Sequence, residues 1–101
     1  MSVVRLTPAA ADDIRSAAAW YERRNVSARS KLIATIDRAV EQIARHPLAF
    51  PAATAGTHRA VLFGFPFQLF FRIEDDDVVV LACLHAARDP AALRAVLAER
   101  H

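Results

Sequence analysis

The residues best suited to chemistry stand where a long apolar segment ends. The segment "VVVLACLHAARDP", residues 78–90, runs seven apolar residues directly into His85, with Arg88 three places later. Histidine titrates near neutral pH and often serves as a general base, while arginine binds carboxylate and phosphate groups. Both also have structural roles open to them: a histidine that ends a strand is often a hydrogen-bonded structural group, and Arg88 can pair with Asp89.

Three closely spaced strands are predicted to carry these residues. Apolar and alternating segments place them at about 58–63, 67–73 and 78–84, and the acidic run 74–77 forms the second turn. If that turn holds two or four residues, one face of the sheet is entirely apolar and forms the core, with Phe67, Leu69, Phe71 and Ile73 beside Val78, Val80, Ala82 and Leu84. The opposite face carries Gln68, Phe70, Arg72, Val79, Leu81, Cys83 and His85.

The second face is predicted to bind a partner. An unpaired arginine is unfavourable on an all-apolar layer, so Arg59 is expected on this face near Arg72. Leaving an apolar side chain such as Phe70 in water forgoes about 1.5–3 kcal/mol. An apolar patch bordered by arginines is common at docking sites. The predicted partner-binding residues are Arg59, Phe70, Arg72, Val79, Leu81, His85 and Arg88.

Two alternatives remain for the second face. Asp89 followed by proline predicts the start of a last helix, which carries Leu93 and Leu97 and extends to about Glu99. This helix could cover the apolar patch within the same chain. A second copy of the chain could also cover it.

The remaining segments predict the elements that support this sheet. Val3–Leu6 is a short strand, and Thr7 followed by proline is typical of a helix start. Ser27 is expected to cap a second helix, which Pro47 ends. The expected order is β-α-α-β-β-β-α, an α+β fold in which an N-terminal helical hairpin packs on one face of a small, mainly antiparallel sheet. We expect residues 1–101 to form one domain.

Composition limits the classes of partner and site. The net charge is +2, but four of the eleven acidic residues lie together at 74–77, which leaves 13 basic against 7 acidic residues (11 − 4), or +6. Such a basic body suits an acidic protein or nucleic acid. Cys83 is the only cysteine, so an internal disulfide is excluded. No signal peptide, membrane span, metal site or cofactor is expected, and a reducing cytoplasm is the expected location.

The segment "FGFPFQLFFRIEDDDVVVLACLHAARDP" resembles the C-terminal half of the RelE/ParE superfamily of bacterial type II toxins. The superfamily signature is a "FPY-x-I-x-Y-x-I" strand, an acidic hairpin tip, an apolar strand and a closing "H-x-x-R-x-P". Here these parts are Phe65-Pro66-Phe67, Leu69, Phe71 and Ile73, then His85, Arg88 and Pro90. The earlier "AAADDIRSAAAWY" is similar to the first helix of the family.

The resemblance implies a toxin that a small, acidic antitoxin neutralises, with DNA contacted only through that antitoxin. RelE-like members cut mRNA on the ribosome, and Arg59, His85 and Arg88 would be the catalytic residues of such an endoribonuclease here. ParE-like members instead inhibit DNA gyrase by binding and need no catalytic set. RelE-like nucleases often use a tyrosine near the C-terminus, and none follows Arg88, so the ParE-like reading is favoured. A degenerate member that only binds its antitoxin, as a corepressor, is a further alternative.

Overall fold

The computed structural model describes residues 2–100 and has the predicted order β-α-α-β-β-β-α, which confirms the α+β fold. Short 3-10 turns at Pro47–Ala49 and Thr54–Gly56 connect the second helix to the second strand. The helices are α1 (Pro8–Glu22), α2 (Val26–Arg45) and α3 (Pro90–Glu99). The strands are β1 (Val4–Leu6), β2 (His58–Val61), β3 (Phe67–Glu74) and β4 (Asp77–His85).

The sheet is mixed and mainly antiparallel, with the strand order β1-β4-β3-β2. β1 runs parallel to β4, and the other neighbouring strands are antiparallel. Glu74 lies opposite Asp77, so the acidic tip is a tight turn of the two residues between them. Asp75 has a φ of 53°, a conformation that aspartate tolerates in such turns.

Local sequence explains where the helices begin and end. The Thr7 hydroxyl accepts a hydrogen bond from the Ala10 N–H, as expected for an N-cap. α2 begins earlier than predicted, because Asn25 rather than Ser27 is its N-cap. The Asn25 side-chain oxygen accepts a hydrogen bond from the Ser27 N–H at 2.9 Å. α2 ends before Pro47, as predicted.

The helical hairpin of α1 and α2 covers one face of the sheet, as predicted. α2 contributes Leu32, Ile36 and Ile43, each no more than 5% exposed. α1 contributes the small side chains Ala17 and Ala18, which allow a close approach to its neighbours. Each large apolar side chain buried in this way stabilises the fold by roughly 1.5–3 kcal/mol. The packing therefore fixes the end of β4 relative to α1.

Candidate partner-binding surface

β4 contains a bulge that changes which residues face the helices. Phe71 lies opposite Val80, whereas the next pair is Phe70 with Ala82, so Leu81 has no partner on β3. Because side chains alternate between the two faces of a strand, one extra residue reverses the faces of all positions beyond it. Each residue in the second half of β4 therefore lies on the face of the sheet opposite to the predicted one.

This exchange corrects the predicted faces. Ala82 and Leu84, expected in the inner core, pack instead on the outer side of the sheet. Cys83, expected on the outer face, belongs to the inner core, and His85 lies beside α1. Near the acidic tip the predicted pairing holds.

The outer face of the sheet is covered by the chain itself. Phe70, Val79 and Leu81 are 2%, 6% and 0% exposed. The covering side chains come from α3 and from the 3-10 turn and its approach: Leu93, Val96, Leu97, Ala53 and Ala55. The prediction of an open apolar patch is therefore wrong. The structure has the alternative arrangement, in which the last helix covers this patch. A partner reaches Phe70, Val79 or Leu81 only if α3 moves away.

A network of polar contacts joins α1, the bulge and the end of α3. The Asp13 carboxylate accepts a hydrogen bond from the Cys83 N–H at 3.0 Å and forms an ion pair with Arg100 at 2.5 Å. Arg100 also donates to the Leu81 carbonyl at 3.1 Å, and the Thr7 hydroxyl donates to the same oxygen at 3.4 Å. Backbone groups that the bulge removes from the strand ladder are thus satisfied by side chains.

The Cys83 thiol is held in its neutral form. Burial, and then the charge of Asp13, raise the pKa of Cys83 to about 12. The thiolate is the nucleophilic form of cysteine, so this residue is unsuited to nucleophilic chemistry near neutral pH.

His85 and Arg88 form the turn that follows β4. The His85 Nδ1 accepts a hydrogen bond from the Ala87 N–H at 3.1 Å, and the Arg88 N–H donates to the His85 carbonyl at 3.1 Å. In the neutral ring the proton therefore lies on Nε2. The His85 ring also packs edge-on against Phe67, with ring centroids 5.5 Å apart. His85 thus has the structural role that a histidine at a strand end commonly has.

A cleft of about 500 Å³ opens between α1 and this turn. Two aromatic contacts build its wall: Tyr21 packs edge-on against Phe67, and the Arg24 guanidinium lies 3.5 Å above the Trp20 ring. Within residues 2–100 the Arg88 side chain has no hydrogen-bond or ionic partner. We name this feature the α1–β4 cleft, and its lining is Asp13, Ser16, Ala17, Trp20, Tyr21, Pro66, Phe67, Cys83, Leu84, His85 and Arg88.

The structure divides the predicted cations into two groups. Arg59 lies opposite Phe70 and Arg72 opposite Val79, so both belong to the outer face, as predicted. Arg59 is exposed, and Arg72 forms an ion pair with Glu74 at 3.2 Å. His85 is on the opposite face, because the bulge in β4 lies between Val79 and His85. Arg59 and His85 therefore do not line one pocket.

Residues 2–100 contain neither a candidate metal site nor a helix that could span a membrane. Nowhere in this part of the chain do three His, Cys, Asp or Glu side chains form a group able to hold a metal ion. In the same range, each helix is too short or too polar to cross a membrane.

The comparisons with known proteins identify the family. Residues 4–90 match the family model "ParE toxin of type II toxin-antitoxin system, parDE". The chain belongs to the ParE toxin family. A solved structure described as "Chromosomal ParDE TA system from P. aeruginosa" is similar at 20% identity, with a TM-score of 0.61, covering 84% of this chain and 96% of that chain. At this identity the likeness shows the fold alone. No curated protein matches the chain.

The ParE family match ends where α3 begins, so the helix that covers the outer face lies almost wholly beyond it. The contact of Arg100, at the end of this helix, with Asp13 could not be predicted from the sequence, because the two residues lie 87 positions apart. The cleft was not predicted either, although Trp20 and Tyr21 line it from α1. Their position in the helix that resembles the first family helix was the one available signal.

Proposed function

We propose that this ParE-family toxin acts in the bacterial cytoplasm by binding DNA gyrase and blocking its cycle. We further propose that a cognate antitoxin neutralises it by occupying the α1–β4 cleft. The observation that carries the second proposal is the cleft itself, in which an aromatic wall lies beside Arg88, whose side chain has no partner among residues 2–100. Family membership supports the first.

Binding rather than RNA cleavage agrees with the placement of the cations. Cleavage of RNA needs several charged or proton-transferring groups around one phosphate. Arg59 lies on the outer face while His85 and Arg88 lie at the cleft, so the residues that a nuclease would use are separated by the sheet. The neutral thiol of Cys83 adds no nucleophile.

The cleft suits a segment that combines an apolar side chain with a carboxylate. The apolar side chain would pack against Tyr21 and Phe67, where aromatic rings provide a large contact area. The carboxylate would accept hydrogen bonds from the Arg88 guanidinium and from the His85 Nε2–H. An acidic antitoxin supplies both groups. Arg72 on the outer face remains a proposed secondary contact.

Expression of the chain without antitoxin tests the proposed target. We expect growth arrest with filamentous cells, an SOS response and relaxation of a reporter plasmid, while transcripts remain intact. Transcripts cut at defined positions would overturn gyrase inhibition in favour of a nuclease. Normal growth, with folded protein present in the cells, would instead support a module that only binds its antitoxin.

Affinity for the antitoxin tests the proposed cleft. Arg88→Glu should weaken binding about 10-fold or more, since it reverses a charge at the contact. Arg94→Glu, an identical change at an exposed position of α3, should leave affinity unchanged. Equal effects of the two substitutions would contradict the placement of the antitoxin in the cleft, whatever the target of the toxin.

A further inference from the structure

The turn that joins α1 to α2 carries a concentrated positive charge that the proposed function does not use. Residues 22–31 hold one acidic residue, Glu22, and four cations, which are Arg23, Arg24, Arg29 and Lys31. Their net charge of +3 (4 − 1) exceeds the +2 of the whole chain. We name residues 22–31 the basic tip.

The cations of the basic tip are available to an external anion. All four are exposed, and the side chains of Arg23 and Lys31 have no hydrogen-bond or ionic partner within residues 2–100. Arg29 pairs with Glu22 only at 3.8 Å, and a surface pair of this kind contributes little. Because α2 begins inside the basic tip, the peptide dipoles of its first turn add partial positive charge at the same place.

The basic tip and the acidic tip lie at opposite ends of the sheet. Tyr21, directly before the basic tip, packs against Phe65 and Phe67, where β3 begins. β3 then runs for eight residues to Glu74, the first residue of the acidic tip. A strand of this length extends about 25 Å. The molecule therefore has one positive end and one negative end.

The surface of the basic tip suits phosphates better than an acidic polypeptide or unstacked bases. Protein partners gain most of their affinity from side chains that fill pockets, and no residue of the basic tip lines the α1–β4 cleft. Single strands bind by stacking bases on aromatic rings, but the Arg24 guanidinium lies 3.5 Å above the neighbouring Trp20 ring. Duplex DNA needs neither a pocket nor a stacking platform, because its dense phosphates attract cations directly.

We propose that the basic tip binds the phosphate backbone of duplex DNA directly and without sequence preference. The same phosphates repel the acidic tip, so the chain approaches DNA in one orientation, with the turn between α1 and α2 first. This differs from the expectation that DNA is contacted only through the antitoxin. The proposal depends neither on gyrase inhibition nor on antitoxin binding in the α1–β4 cleft.

Fluorescence anisotropy of a short labelled duplex, titrated with the full chain at several salt concentrations, tests the proposal. Each phosphate contact releases counterions, so the affinity falls as salt rises. With about three to four phosphate contacts, the affinity should fall about 40- to 150-fold between about 50 and about 200 mM salt. Duplexes of unrelated sequence should bind equally, because phosphate contacts carry no sequence information.

Charge reversals locate the contact on the molecule. Arg23→Glu should weaken duplex binding about 5- to 10-fold at about 50 mM salt and reduce the salt slope by about 1. Lys31→Glu should do the same, and it serves if Arg23→Glu does not fold. Arg94→Glu is the matched control, since it makes the same change in net charge at an exposed position of α3, on the other side of the sheet. It should change the affinity less than about 2-fold.

Competition identifies the class of polyanion. Poly-glutamate at the same concentration of negative charge should displace little duplex, because its charges are spaced about twice as far apart as those of DNA. Displacement as effective as that by unlabelled duplex would assign the basic tip to acidic polypeptides and overturn the proposal. A single strand that binds more tightly than the duplex would also overturn it.

Two further results would contradict a contact at the basic tip. One is the absence of duplex binding at about 50 mM salt, where phosphate contacts are strongest. The other is an equal loss of affinity in Arg23→Glu and Arg94→Glu, which would indicate a response to net charge alone. None of these results bears on gyrase inhibition or on antitoxin binding in the cleft, which are measured separately.

Discussion

Replacing Asp13 with asparagine measures how strongly the polar network at the bulge holds α3 in place. The Asp13 and Arg100 side chains are 17% and 23% exposed, so their ion pair is largely shielded from water. Asparagine keeps the size and an acceptor oxygen for the Cys83 N–H but leaves Arg100 without a counterion. Exposed pairs contribute about 0–1 kcal/mol, and breaking a fully buried pair costs about 3–5 kcal/mol. For this shielded pair we expect a loss of about 2–3 kcal/mol in the free energy of unfolding.

Urea unfolding of Asp13→Asn and Asp12→Asn provides the measurement and its control. Asp12 is the neighbouring residue and pairs with Arg15 on the surface, where their side chains are 68% and 71% exposed. Its substitution should cost no more than about 1 kcal/mol. In thermal unfolding each kcal/mol corresponds to about 4–8 °C in a domain of this size, so the two variants should separate clearly.

A double-mutant cycle with Arg100→Gln then isolates the interaction. If the ion pair carries the loss, Asp13→Asn should cost much less in the Arg100→Gln background than in the wild type. Equal losses in the two backgrounds, or an Asp13→Asn loss within about 0.5 kcal/mol of that of Asp12→Asn, would refute the reasoning.

Three further outcomes follow from packing, capping and ionisation. Leu97→Ala should destabilise the fold by about 2–5 kcal/mol in urea unfolding, because this fully buried side chain anchors α3 on the outer face. Asn25→Ala should cost about 0.5–2 kcal/mol and Ser27→Ala much less, since Asn25 caps α2. Burial, and then a nearby carboxylate, raise the pKa of Cys83 from 9.0 to about 12. The folded state therefore binds the thiol proton more tightly than the unfolded state, so the stability of the wild type relative to Cys83→Ala should fall as the pH rises from 9 to 12 in unfolding titrations.

The elements with local signals could be predicted from the sequence. Thr7 and Asp89, each followed by proline, mark two helix starts, and both side chains accept the expected capping hydrogen bond. The acidic tip gave the correct pairing of Phe71 with Val80. These features depend on residues adjacent in the chain or joined by a tight turn, where few conformations compete.

The bulge in β4 could not be predicted, and the reason is physical. When one face of a strand is exposed to solvent, the alternation of apolar and polar residues indicates which side chains face the core, and so predicts the register. β4 is covered on both sides, and Val78 to Leu84 are all apolar, so a slip of one residue leaves an apolar side chain at every buried position. The observed register is accompanied by distant contacts of Asp13 with the Cys83 N–H and with Arg100, which no local pattern records.

The one extra residue in β4 also separates the residues that would act together in a nuclease. With regular pairing, His85 and Arg59 would share the outer face, and a cationic pocket for RNA would be possible there. The bulge moves His85 to the helix side, beside Trp20 and Tyr21, and leaves Arg59 on the other face. Restoring the regular register by deleting Leu81 would also remove the carbonyl that Arg100 and Thr7 bind. The contacts that Asp13, Arg100 and Thr7 make at the bulge are thus the contacts that keep His85 and Arg59 on opposite faces of the sheet.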